Sequence, residues 1–210
     1  MSINKKAEEI LEIKKVLFYN GSMNSDEALK KLIDGNARFA AGTPVQRLYS
    51  EARTKLFEKG QSPYAAIVGC SDSRAPMELI FDAGLGDLFI IRTAGNVIGS
   101  IGLGSLEYTV EALKTPLIVV MGHQQCGAVK AAIHGGSFSP CMKAVIDEIC
   151  KCSPDDISNC TQEEIENKNI LYTLSIIAAN TVISKAVEEG RVKLAAAKYS
   201  LETGIVTFFN

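Results

Sequence analysis

Three short apolar runs constrain the fold of this 210-residue chain more than any other feature of its sequence. The runs cover residues 64–69, 88–92 and 117–121, and each leads into a turn that contains Gly or Ser. They are too short for helices, and uninterrupted apolar runs of this length are typical of parallel strands that are buried on both faces. Helical stretches at about 76–81 and 100–113 separate the runs. This alternation predicts an α/β fold whose core is a mostly parallel β-sheet flanked by helices.

The residues before the first run predict an N-terminal helical arm within residues 1–42. The apolar positions of residues 4–18 follow helical spacing. A second helix is predicted to begin after Asn24 or Ser25, where Glu27 can return a capping contact. The arm is therefore expected to consist of two helices joined by a turn.

The C-terminal part of the chain is predicted to close the sheet. Two segments, 191–200 and 204–209, are predicted to form a hairpin or a pair of edge strands. The other predicted helices cover about 50–59, 140–150 and 162–189. Neither a repeat nor a linker interrupts the sequence, so residues 1–210 are expected to form a single domain.

The charge balance excludes two classes of partner. Lys and Arg number 22 against 24 Asp and Glu, so there is no basic surplus that would bind nucleic acid or an anionic membrane. No apolar stretch reaches the roughly 18 residues of a membrane-spanning helix. Acidic residues also lie near the N-terminus, where a signal peptide needs an apolar core. We therefore expect a cytoplasmic protein with reduced thiols, and with no nucleic-acid or membrane partner.

Two segments that follow the first and third predicted strands carry candidate metal ligands. Cys70 begins the sequence CSDSR at 70–74, and His123 and Cys126 lie in the sequence GHQQCG at 122–127. Because the carboxyl ends of parallel strands meet at one edge of a sheet, these three side chains are expected to converge. Two thiolates and one imidazole suit zinc, and three protein ligands leave the fourth position open, as in catalytic zinc sites.

Asp72 and Arg74 lie beside this predicted site. The pKa of water bound to zinc falls to about 7, and the carboxylate of Asp72 can accept a hydrogen bond from that water. Alternatively, the carboxylate can ligate the zinc itself and close the site. A bidentate contact with the guanidinium of Arg74 would hold the carboxylate away from the metal. The sequence leaves both arrangements open.

In these segments and their flanks the chain resembles the β-class carbonic anhydrases, zinc enzymes of α/β fold that interconvert carbon dioxide and bicarbonate. Further matching segments lie at 32–39, 61–63, 86–89, 92–96, 104–108 and 199–204. The resemblance covers most of the chain. The two metal segments, in this order and with these flanks, make it specific.

The resemblance implies reversible hydration of carbon dioxide to bicarbonate and a proton by zinc-bound hydroxide. The residues that it assigns to one zinc per chain are Cys70, His123 and Cys126, with Asp72 as a further ligand only in a closed state. It assigns the catalytic roles to Asp72 and Arg74. The substrate-binding residues that we expect are Gln61, Phe89, Tyr108 and the backbone amide of Gly127. The resemblance also implies homodimers or homotetramers, with the N-terminal helix wrapped around a neighbour and the pockets near the subunit interface.

Two other functions are compatible with the same residues. An enzyme with this fold and zinc site could hydrolyse carbon disulfide or a related small molecule, since a different access route requires no change of ligand. A non-catalytic binding protein could use Asp72 as a permanent fourth zinc ligand. The Cys-x5-Arg loop of a thiol phosphatase is excluded, because Cys70 and Arg74 are too close together.

The remaining cysteines and histidine match no motif of the family. Cys150 and Cys152 are separated by a single residue, so they do not form a Cys-x-x-Cys motif. His134 has no neighbour with metal-binding character and is expected at a helix end or on the surface. The chain contains no Trp, so regulation through a Trp-lined bicarbonate site is not expected. The cysteines expected to be free thiols are Cys141, Cys150, Cys152 and Cys160.

Overall fold

A computed structural model describes residues 23–47, 49–153 and 157–209 of the chain. The helix expected within residues 4–18, and its contact with a neighbouring subunit, lie outside the described residues. The second helix of the predicted arm is described. Asn24 accepts hydrogen bonds from the backbone N–H groups of Asp26 and Glu27, and the Glu27 carboxylate accepts one from the N–H of Asn24. This reciprocal pair is the predicted capping box.

The core is a five-stranded sheet in the order β2-β1-β3-β4-β5. The strands are β1 (Ala65–Cys70), β2 (Leu88–Thr93), β3 (Leu117–His123), β4 (Lys193–Tyr199) and β5 (Val206–Phe208). The first four strands are parallel, and β5 pairs antiparallel with β4 at one edge. The predicted α/β class, the mostly parallel sheet and the C-terminal edge strand are confirmed.

Helices cover both faces of this sheet. Within the described residues they are α1 (Ser25–Ala40), α2 (Tyr49–Lys59), α3 (Met77–Ile80), α4 (Ser100–Glu111), α5 (Gly127–His134), α6 (Pro140–Cys150), α7 (Gln162–Ala178) and α8 (Thr181–Glu188). On one face, Leu32 of α1 packs with Ile67 of β1 in a buried cluster. On the other face, Val68 of β1 packs with Ile170 of α7 and Ile183 of α8. Alternate residues of β1 thus serve two cores, which explains its continuous apolar sequence.

Two helical predictions differ from the structure. The helix predicted over 162–189 is two helices, α7 and α8, which are bent by 86°. The chain breaks at Asn180, because its side-chain oxygen accepts hydrogen bonds from the N–H groups of Val182 and Ile183 and begins a new helix. The sequence pattern also did not indicate α5, whose eight residues span only about two turns.

No single helix among the described residues is both long and apolar enough to cross a membrane. Helices α7 and α8 reach that length and composition only when they are taken together, across the bend.

A buried carboxylate joins α1, the segment after it and the end of α3. The Asp82 side chain is 2% exposed, and Arg38 Nε donates to its Oδ2 over 2.6 Å. Arg47 and the backbone N–H of Val45 also donate to this carboxylate. The backbone of Asp82 is left-handed, with a φ of 43°. Hydrogen bonds to a charged group contribute about 1.5–3 kcal/mol each, so this carboxylate is a substantial tie between the three segments.

We expect Asp82→Asn, which keeps the shape and tolerates the left-handed backbone, to lower the free energy of unfolding by about 1.5–3 kcal/mol at pH 7. Burial raises the pKa of Asp82, but hydrogen bonds from Arg47 and Arg38 outweigh this and hold it below its ordinary value. The stabilisation is therefore complete above the unfolded pKa of about 3.9 and is lost as the pH falls through the lower folded pKa. Urea unfolding at pH 7 and pH 3 measures both effects. Equal stability of variant and wild type at pH 7 would contradict the assignment.

Candidate metal centre

The ends of two neighbouring strands and the turn after one of them bring three metal-ligating side chains together. Cys70 is the last residue of β1 and His123 is the last residue of β3, and these strands are parallel neighbours. The ligand atoms of Cys70, His123 and Cys126 all lie within 4.8 Å of one another, and the three residues are buried. The two sulfur atoms are 3.9 Å apart. The structure thus has the convergence that the two sequence segments predict.

The turn from His123 to Cys126 orients two of the three ligands. Gln125 has a φ of 53°, which reverses the chain and makes Cys126 the N-cap of α5. Nδ1 of His123 donates to the carbonyl of Gln124 over 2.8 Å, so Nε2 is the nitrogen left with a free lone pair. Nε2 is buried and has no hydrogen-bond partner among the described residues. The backbone amide of Gly127 begins α5 directly beside this cluster.

The donor set fits a soft divalent cation. The contact between the two thiols holds the pKa of Cys70 below its ordinary value and that of Cys126 above it. The pair therefore releases one proton readily and a second one reluctantly, and a bound cation favours loss of both. An unpartnered imidazole nitrogen beside two such sulfurs matches the nitrogen and sulfur ligands that zinc takes in proteins.

Asp72 is held by Arg74 at the edge of the cluster. Arg74 Nε donates to Asp72 Oδ1 over 3.0 Å, and Arg74 Nη2 donates to Oδ2 over 2.8 Å. Asp72 Oδ2 is also 3.8 Å from Nε2 of His123. Hydrogen bonds from Arg74 hold the pKa of Asp72 well below its ordinary value, so the carboxylate is charged and accepts hydrogen bonds only. Of the two arrangements that the sequence left open, the structure has the bidentate contact.

Arg92 supports the loop that carries Cys70 and Asp72, a role that the sequence pattern did not indicate. Its Nε donates to the carbonyl of Cys70 over 2.9 Å, and its Nη2 donates to the carbonyl of Asp72 over 2.6 Å. Arg92 lies in β2 opposite Gly69. The sequence feature that could have indicated this role is an arginine near the end of an otherwise apolar strand. A guanidinium that is partly buried needs several hydrogen-bond acceptors.

Three polar residues of α7 were also missed. Glu166 Oε1 accepts a hydrogen bond from the backbone N–H of Cys126 over 3.1 Å, and Gln162 Nε2 donates to the carbonyl of Cys126 over 3.2 Å. Asn169 Nδ2 donates to the carbonyl of Gly95 over 2.7 Å. These residues recur at intervals of four and three, so they share one face of the helix. A polar stripe of this kind within a helix was the signal that could have found them.

Of the four residues expected to bind substrate, Gly127 lies beside the metal cluster, whereas Gln61, Phe89 and Tyr108 are not brought to the cluster of their own chain. Phe89 pairs with Ala66 of β1. Ala66 is four residues before Cys70, so Phe89 is about 13 Å from Cys70 along the strand direction. The ring of Tyr108 is 6.4 Å from that of Phe89, so it lies in the same distant region. Gln61 is exposed and precedes β1, so nearly the whole length of the strand separates it from Cys70.

The other cysteines and the second histidine lie apart from this cluster. All six cysteines are free thiols. Cys141 is exposed, and burial raises the pKa of Cys152 to about 11, which disfavours the thiolate of Cys152. His134 is exposed at the end of α5, where its Nδ1 donates to the carbonyl of Lys130.

The sequence matches known proteins across both cysteine-bearing loops. A sequence model of the carbonic anhydrase family matches residues 65–206. Carbonic anhydrase 2 of Mycobacterium tuberculosis is 39% identical over 190 residues, which cover 86% of this chain and 91% of that protein. A carbonic anhydrase of Pseudomonas aeruginosa is 30% identical over 194 residues, which cover 84% and 85%.

Solved structures share the fold. The β-carbonic anhydrase CcaA is 29% identical, with a TM-score of 0.66 over 87% of this chain and 95% of that chain. A structure described as one of two tetrameric β-carbonic anhydrases from Sordaria macrospora has the same TM-score at 21% identity, over 77% of this chain and 92% of that chain. The similarity therefore extends over most of the chain in both sequence and fold.

We expect the protein to bind one Zn²⁺ per chain. Loss of a residue that only hydrogen-bonds to a metal ligand typically weakens metal binding by roughly 10–100-fold, and we expect Cys126→Ala, which removes a ligand, to weaken it by more. The variant removes one of the three converging ligands. Metal analysis after dialysis against a weak chelator measures the loss. Cys141→Ala, which removes an exposed thiol outside the cluster, is the control. Full occupancy in Cys126→Ala would contradict the ligand assignment.

Proposed function

Because the chain belongs to the β-class carbonic anhydrase family of carbonate dehydratases, we propose that it hydrates carbon dioxide reversibly to bicarbonate at a zinc ion held by Cys70, His123 and Cys126. The observation that carries this proposal is the buried cluster of two thiols and an unpartnered imidazole nitrogen. When bound there, zinc supplies a Lewis acid that makes a nucleophile of water near neutral pH. The protein would serve this chemistry by fixing the ligands, orienting water and holding the product.

Asp72 orients the attacking water, in this proposal. Its Oδ2 lies 3.8 Å from His123 Nε2, and Arg74 holds both carboxylate oxygens. A carboxylate with so low a pKa is a poor proton acceptor but a strong hydrogen-bond acceptor, which favours an orienting role over proton storage. The bidentate contact gives no support to a protein in which Asp72 is a permanent fourth ligand.

The backbone amide of Gly127 would hold an oxygen of the substrate or product. It is the first residue of α5 and directly follows Cys126. The N-terminus of a helix attracts anions through its unpaired N–H groups and its dipole, so this position suits bicarbonate.

A second copy of the chain would supply Gln61, Phe89 and Tyr108 to the pocket. These residues lie too far from the cluster to act in their own subunit. Phe89 lies in β2, an edge strand of the sheet, and α4 carries Tyr108 and the 85% exposed Ile101 beside it. An apolar edge of this kind suits burial against a copy of itself in a homodimer or homotetramer.

The six free thiols support a reducing, cytoplasmic location.

We expect Arg74→Ala to lower turnover by about 10–100-fold while zinc stays bound, because the variant releases Asp72 from its bidentate contact but removes no metal ligand. Arg74→Lys should recover little activity, since a point charge does not reproduce two parallel hydrogen bonds. Stopped-flow hydration of carbon dioxide on zinc-loaded protein measures the effect. The exposed Arg53→Ala serves as the control. Near-normal turnover in Arg74→Ala would show that the pair is only structural.

We expect Gln61→Ala to lower turnover by roughly 100-fold, as loss of one donor to a developing oxyanion does. A mixed dimer of Gln61→Ala and Cys126→Ala subunits tests which subunit supplies Gln61. If Gln61 acts across the interface, one of the two sites in that dimer is complete, and activity returns to about half of the wild-type value. If Gln61 acts in its own subunit, the mixed dimer has no complete site and stays inactive. Subunits carrying two different affinity tags allow its isolation.

A further inference from the structure

Helix α7 holds the two cysteine-bearing loops by their backbones, and we propose that Gln162, Glu166 and Asn169 are positioning residues that set the metal affinity of the site. The inference deepens the proposed function, because it concerns the same zinc site. None of the three residues has a ligand atom in the metal cluster.

Glu166 is the centre of these contacts. Its side chain is 4% exposed, and Oε1 accepts hydrogen bonds from the N–H of Cys126 and from Gln162 Nε2, over 3.1 Å and 3.0 Å. Gln162 Nε2 also donates to the carbonyl of Cys126. The N–H and the carbonyl of Cys126 are therefore both hydrogen-bonded to side chains of α7, and these contacts fix the direction of the thiol.

Lys198 neutralises the charge of Glu166. Its Nζ lies 3.0 Å from Glu166 Oε2, and its side chain is 11% exposed. Lys198 is paired with Gly122 in the sheet, one residue before His123. An isolated carboxylate behind two thiolates would disfavour their negative charge. The ion pair lets a strong acceptor lie behind Cys126 without adding net charge to the site.

Asn169 extends the same support to the other thiol. It is buried, and its side chain donates to the carbonyl of Gly95 over 2.7 Å. Gly95 has a left-handed backbone with a φ of 66° and lies two residues after Thr93, which pairs with Cys70 in the sheet. One helix thus holds the backbone of Cys126 itself and of the segment that follows the β2 partner of Cys70. Bound metal tolerates only small errors in ligand position, so this support should be visible in metal affinity.

The test must separate positioning from simple stabilisation of the fold. Removing Glu166 alone leaves the charge of Lys198 buried without a partner. That change lowers the stability of the fold whether or not Glu166 positions a ligand. The double variant Glu166→Leu/Lys198→Met replaces both charges with apolar groups of similar size and removes the acceptor for Cys126. The double variant Glu166→Gln/Lys198→Met also removes both charges but keeps an acceptor oxygen. Glu163→Gln is the matched control, since Glu163 is 78% exposed and lies 3.7 Å from Lys198.

Three measurements apply to each variant: zinc transfer to a chromophoric chelator, the thiolate-to-cobalt charge-transfer absorption of Co²⁺-loaded protein, and thermal unfolding. We expect Glu166→Leu/Lys198→Met to fold but to bind zinc about 10–100-fold more weakly, with an altered cobalt spectrum. Glu166→Gln/Lys198→Met and Glu163→Gln should bind zinc as the wild type does. If the Leu/Met variant does not fold, Glu166→Asp, which keeps the charge and shortens the side chain, should show the same loss of affinity.

Equal zinc affinity in the two double variants would overturn the inference, whether both matched the wild type or both were weak. If Glu166→Leu/Lys198→Met does not fold and Glu166→Asp is used in its place, wild-type zinc affinity in Glu166→Asp would also overturn the inference. Wild-type protein that bound neither Zn²⁺ nor Co²⁺ would overturn the proposed function itself. The two failures are therefore distinguishable.

Discussion

The parallel pairing of β1 with β3 is the constraint on which the site depends. Gly69 is paired with Met121, so both strands end within two residues of that pair, at the same edge of the sheet. Cys70 and His123 meet there although many residues separate them in sequence. A shift of one residue in this register would displace one ligand by about 3.3 Å along its strand and turn every side chain of that strand to its other face, because side chains alternate along a strand. The two apolar cores that fill both faces of β1 resist such a shift.

The polar groups near this edge form a nearly neutral arrangement. Arg74 is paired with Asp72 and Lys198 with Glu166, while Arg92 is bonded to backbone carbonyls. Buried charges are costly unless they are paired and hydrogen-bonded. Because both carboxylates are already paired with cations, the two thiols are the groups that a dication would neutralise.

The parts of this structure that the sequence predicted are those with short-range signals. The strands were recognisable from continuous apolar runs, and the ligands from two short segments at strand ends. The break at Asn180 was missed because its cap lies inside an apolar periodic stretch that continues past it. Glu166 was missed because its partners, Cys126 and Lys198, are distant in sequence and become neighbours only in the folded sheet. Gln61 precedes β1 and Cys70 ends it, so the two residues lie toward opposite ends of the strand. Their separation follows from the fold and is not indicated by any local sequence pattern.

The sheet order has a consequence for the order of events during synthesis. All three candidate ligands lie in the first two thirds of the chain, whereas α7 and β4, which hold their loops, come from the last third. On the ribosome, Cys70 and Cys126 emerge before Glu166 and Lys198, which pair behind Cys126 in the folded protein. A nascent chain therefore presents two nearby thiols without their support. The loops that carry these thiols gain their final contacts only when the last parallel strand enters the sheet.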